Sequence, residues 1–162
     1  MQNKITLGSK TKLEEVFNKV KPKNFVDVIT SKSPTIVSSI KEHGLERVNM
    51  VMAGFVVKIN ESFNVKTQMT ERQVMETAEM LSDLFRVFKL DDVVLWYKKA
   101  SEGDYGQPYD RLDKAIIKKW AMMYIDERLE SGANMSIRES QTHKDVGSRI
   151  KQIESLTDKF KL

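Results

Sequence analysis

A chain of 162 residues that is 40% hydrophobic and 31% charged carries enough large apolar side chains for one globular core, which excludes a disordered polymer and leaves little room for a second domain of ordinary size. Without cysteine it forms no disulfide framework and no thiolate metal site, and with no apolar run of signal-peptide or membrane-spanning length the expected setting is a reducing cytoplasm. The net charge of +4 is concentrated in residues 1–33, where Lys4, Lys10, Lys12, Lys19, Lys21, Lys23 and Lys32 face only Glu14, Glu15 and Asp27.

Residues 1–9 are polar and aperiodic and read as a flexible lead-in. Leu13, Val16, Phe17 and Val20 are spaced for one face of a short helix, and the Lys21-Pro22 step stops it because proline disfavours helical backbone in its predecessor. Phe25, Val26, Val28 and Ile29 form an apolar patch that fits helix or strand. Ser33-Pro34 predicts a helix start, with serine as the cap and proline at the first helical position, and Gly44 predicts its end near His43. Leu45, Val48, Met52, Phe55, Ile59 and Phe63 then recur at three- and four-residue steps, the pattern of a central core helix. Within it, Gly54-Phe55-Val56-Val57 has strand propensity, against which the longer period weighs.

Thr70-Glu71-Arg72-Gln73 has the form of a capping box, and Val74, Ala78, Leu81, Phe85 and Phe88 give the helix after it an apolar stripe widened by Met75 and Leu84. Asp91 or Asp92 is expected to cap a shorter helix bearing Val93, Trp96, Tyr97 and Ala100. A glycine- and proline-containing turn from Ser101 to Tyr109 separates it from a helix opening at Asp110 or Leu112, running through Leu129 and carrying Leu112, Ile116, Trp120, Met123 and Tyr124. Ser131-Gly132-Ala133-Asn134 is expected to break that helix and begin a mobile connection. Beyond it, Val146, Ile150, Ile153 and Phe160 fall on heptad-like positions of an amphipathic C-terminal helix that docks, self-associates or frays. The expectation is an all-α bundle of five to six helices: a basic arm over 1–33, a core domain over 34–130, and a connection with a C-terminal helix over 131–162.

Chemistry has few footholds. His43 and His143 lie far apart at helix ends or loops, the pairs Glu79 with Asp83 and Asp126 with Glu130 are of a kind found on any charged helix, and Gly103-Asp104-Tyr105-Gly106 lacks the lysine and hydroxyl of a phosphate loop. A non-catalytic protein without cofactor or metal is expected. The segment Glu102–Asp113 stands apart, since it combines two glycines, two tyrosines and a proline with an arginine between aspartates. Its structural reading is a turn fixed by Arg111 pairing with Asp110 or Asp113, and its functional reading is a recognition surface in which tyrosine and arginine supply binding energy.

The stretch Leu90–Arg128, with its G-D-Y-G-x-x-Y-x-R-L-D turn followed by Ile116-Ile117 and Tyr124-Ile125-Asp126-Glu127-Arg128, resembles a module of small proteins from phages and mobile elements of gut Bacteroidales. With Thr70–Phe88 as the preceding helix it covers about a third of the chain. The resemblance implies a replication-accessory role, such as helicase loading or regulation, and assigns no catalytic residue. The leading expectation is therefore an adaptor that docks on a replicative helicase or other replisome component. Tyr105, Tyr109 and Arg111 are the candidates for protein contact, joined by Val146, Ile150, Ile153 and Phe160 on the C-terminal helix. Lys10, Lys12, Lys19, Lys21 and Lys23 are the candidates for phosphate contact in the rival reading, a sequence-independent nucleic-acid-binding protein whose affinity falls steeply with salt. A third reading is a structural or defence-inhibiting protein that assembles into homo-oligomers through its last helix.

Overall fold

The computed structural model describes Lys19 and residues 21–159, and within them every regular element is a helix, in agreement with the all-α expectation. The order is α1 (Phe25–Thr30), α2 (Ile36–His43), α3 (Leu45–Ser62), α4 (Glu71–Leu84), α5 (Leu90–Glu102) and α6 (Lys114–Lys159). The chain divides into a first unit, Met1–Ile125, and a second, Asp126–Leu162. Of the expected helix over Leu13–Val20 only Lys19 is among the described residues, and it is helical.

Caps decide where the sequence was ambiguous. The patch at Phe25–Ile29 is helical because the Asn24 side chain accepts the Asp27 N–H at 3.0 Å while the Asp27 carboxylate accepts the Lys23 N–H at 2.8 Å. The strand-like run in α3 obeys the helical period, with Val56 buried and its neighbour Val57 exposed. The stripe fails only at Leu45, which is exposed. The capping box of Thr70 and Gln73 opens α4 as expected, although α4 ends at Leu84 and Phe85–Phe88 form a turn. Neither Asp91 nor Asp92 is the cap of α5, which starts earlier, after Lys89; Asp92 instead reaches back from the first turn to accept the Lys89 N–H at 2.9 Å, and left-handed Gly103 (φ 87°) closes the helix.

Two expected boundaries are corrected. The helix foreseen at Ser33-Pro34 starts two residues later, capped by Thr35, because Pro34 is engaged elsewhere. Its carbonyl accepts the Leu90 N–H at 3.0 Å, and the Ile36 and Val37 N–H groups reach the Phe88 and Arg86 carbonyls, each at 2.9 Å. This pairing holds residues 34–35 extended. The break foreseen at Ser131–Asn134 is absent, and α6 runs through it for 46 residues in all. Serine, glycine and asparagine each weaken a helix by about 0.5–1 kcal/mol relative to alanine, yet none removes a backbone N–H as proline does, so the ladder continues. The two units divide within α6, after Ile125.

In the first unit, α3 packs against α2, α4 and α5, and α1 lies on α5. Val48, Met52, Val56 and Ile59 of α3 meet Val74, Ala78 and Leu81 of α4 and Leu90, Val93 and Trp96 of α5 in one core, which Ile117, Trp120 and Tyr124 from the start of α6 complete. Aromatic rings run through it: Phe85 lies 5.6 Å from Trp96 and 5.8 Å from Tyr124, and Tyr124 lies 5.4 Å from Phe25.

A polar joint ties α1 to this core. The Lys89 ammonium donates to the Val28, Ile29 and Ser31 carbonyls at 3.1, 2.8 and 2.6 Å, satisfying the negative end of α1, and Ser33 donates to the Asp91 carboxylate beside it. A six-residue helix has no stability of its own, so this cap and the Phe25 ring contact hold it. Lys89→Met keeps the aliphatic stem and removes the donors. Amide protection in α1 is expected to drop at least about tenfold while α3 and α4 keep theirs, since a hydrogen bond to a charged group contributes roughly 1.5–3 kcal/mol. Hydrogen exchange of the two proteins checks it, and equal α1 protection removes the clamp from the account.

Candidate functional site

The turn between α5 and α6 is built in two layers. Gly103 and Gly106 adopt positive φ (87° and 99°), a region that costs a side chain energy, and the Gly103 N–H returns to the Ala100 carbonyl at 3.1 Å. This reversal carries Tyr105 inward. Its ring is only 6% exposed and has the Lys99 ammonium 5.6 Å from its centroid, with Asp104 3.5 Å from the same ammonium. Lys99 also stands 5.4 Å from the Phe25 ring, so one cation links the turn to α1.

The outer layer begins at Gln107. Residues 110 and 111 are clipped to the α3–α4 connection, where the Thr67 N–H donates to the Asp110 carbonyl at 3.4 Å, Thr67 bridges to Arg111, and Lys66 pairs with Asp110 at 3.7 Å. Arg111 pairs with Asp113 at 3.2 Å, Leu112 re-enters the core, and the Asp113 carboxylate accepts the Ile116 N–H at 3.0 Å to open α6. Just before these anchors Tyr109 is fully exposed, and the Arg111 side chain two residues on is 72% exposed.

The two tyrosines of the motif therefore play opposite parts. Tyr105, expected at a protein contact, is withdrawn from any partner because its ring completes the core, whereas Tyr109 and Arg111, two residues apart, are both exposed. Of the C-terminal candidates, Val146 and Ile150 are 49% and 50% exposed in the second unit, while the Ile153 side chain and Phe160 lie outside the described residues. Lys19, Lys21 and Lys23 are exposed, and Lys10 and Lys12 lie outside the described residues. Glu79 and Asp83 stand exposed on α4 in a shallow groove that Lys114 and Lys118 also line, so cations face these carboxylates. Among the described residues no group of three or more His, Asp or Glu side chains is placed to hold a metal ion, and no helix is long and apolar enough to cross a membrane.

Sequence reasoning overlooked the polar joint. Asp92 is fully buried and accepts both the Lys89 N–H and, at 2.9 Å, the Tyr124 hydroxyl, and no local pattern announces a bond spanning 32 residues. Comparison with protein families, with curated proteins and with solved structures finds no match for this chain.

Proposed function

We propose that this chain is a non-catalytic adaptor, encoded by a phage or mobile element, that docks on a replication protein through the exposed side chains of Tyr109 and Arg111. The observation that carries the reading is the Tyr109 ring, wholly exposed on a turn whose backbone is anchored on both sides. Docking loses affinity to the ordering of loops and side chains, and here the loop is already ordered, so a partner need fix little more than two side chains. Tyrosine and arginine are the residues that most often dominate such contacts. The replication setting, of helicase-loader or regulator type, comes from the resemblance of Leu90–Arg128 to the phage and mobile-element module.

The test is capture of purified replisome components, the replicative helicase first, by the wild-type chain and by Tyr109→Ala and Arg111→Ala. Each variant is expected to bind at least about tenfold more weakly, a change of roughly 1.4 kcal/mol, with unfolding unaltered because neither side chain enters the core. Unchanged capture by both variants removes the turn from the interface. Failure of the wild type to bind any replisome component ends the replication assignment.

A further inference from the structure

The second unit poses a problem of stability. Among its described side chains none is buried, although the helix continues to Lys159. Helical propensity does not explain this, because residues 131–148 include two glycines, four serines, an asparagine and a threonine, all poor helix formers. A long helix in water draws its stability chiefly from packing an apolar face, and the face available here carries the half-exposed Val146 and Ile150.

We infer that this face pairs with other copies of the same chain, in parallel and in register. The first argument is the pattern. Val146, Ile150 and Ile153 follow one another at steps of four and three, and Thr157 and Phe160 extend the same alternation, so that His143, Ile150 and Thr157 occupy a positions and Val146, Ile153 and Phe160 occupy d positions of a heptad. The second is charge. In this register Arg149 falls at g and Glu154 at the following e, the two positions that face each other between parallel strands. Symmetry repeats the attractive pair at every interface. In an antiparallel arrangement g faces g and e faces e, and Arg149 loses Glu154 as its neighbour. The third is balance: residues 126–162 hold equal numbers of basic and acidic side chains, so the segment has no net charge to keep copies apart. With only two apolar heptads the assembly dissociates readily on dilution. The inference does not depend on the docking turn.

Sedimentation of the full chain over a concentration series tests it. The wild type is expected to form a dimer or trimer, and Ile150→Asp, which places a carboxylate at a seam position, to raise the dissociation constant at least tenfold while the first unit unfolds as before. Arg149→Glu alone and Glu154→Arg alone are expected to disperse the assembly, and the two together to restore it. Restoration supports parallel pairing, because only a partner bearing the swapped charges recovers it. A chain monomeric at every concentration overturns the inference, as does an oligomer indifferent to Ile150→Asp, or a monomer in which that change abolishes capture of a replisome component. Tyr109→Ala is expected to leave the mass unchanged, so failure of the docking reading and failure of this one are separable.

Discussion

Phe85→Ala is expected to lower the unfolding free energy of the first unit by about 3–5 kcal/mol, the range for truncating a buried phenylalanine. Phe85 ends α4 fully enclosed, and its ring stands within 6.0 Å, centroid to centroid, of Phe88, Trp96 and Tyr124, which come from the turn itself, α5 and α6. Removing it leaves a cavity that these rings cannot fill together, since each is tied to a different element. The backbone at Phe85 (φ −88°, ψ 9°) suits alanine, so the loss reports packing and not strain. Phe85→Leu, which restores much of the volume, is expected to cost under about 1.5 kcal/mol. Urea unfolding at constant slope measures both. A loss below about 1.5 kcal/mol for the alanine variant contradicts a core organised around this ring. Tyr109→Ala is the contrasting case, with stability retained and capture lost. That separation of effects is what a rigid body presenting an exposed docking turn requires.

How much of this was legible in the sequence depends on how far each interaction reaches. The capping box of α4 lies within four residues, and the glycines that close α2 and α5 act on the turn they occupy, so all three could be read directly. Short apolar runs were ambiguous because four residues do not distinguish a period of two from one of 3.6, and at Phe25–Ile29 the Asn24 cap decides. Ser33-Pro34 carried a genuine start signal that a distant strand-like pairing with residues 86–90 overrode. Ser131–Asn134 resembled a loop in composition but contains no residue that forbids a helix. Within the turn the sequence singled out both tyrosines and did not rank them. The ranking follows from the Gly103 reversal, which brings Tyr105 under Lys99 and leaves Tyr109 outside. The clamp of Lys89 on α1 joins groups 58 to 61 residues apart and has no signature along the chain.

Asp92 offers the sharpest test of the polar joint. Its carboxylate is fully buried, one oxygen accepting the Lys89 N–H and the other the Tyr124 hydroxyl, each at 2.9 Å. Asp92→Ala abandons both donors in the interior, where each unsatisfied group costs about 1–3 kcal/mol, and also removes the acceptor at the start of α5. A total loss of about 3 kcal/mol is expected. Asp92→Asn is expected to lose only about 1 kcal/mol, because its carbonyl keeps one donor while the tyrosine hydroxyl rotates to accept from the amide. Tyr124→Phe removes a donor and its hydroxyl together, so in the Asp92→Ala background it takes away a group already stranded and costs less than it does alone. The cycle of the two single variants and the double is therefore expected to show coupling of about 0.5–3 kcal/mol. Strict additivity would mean that the hydroxyl and the carboxylate contribute independently, and that the junction of α5 with α6 rests on ring packing alone.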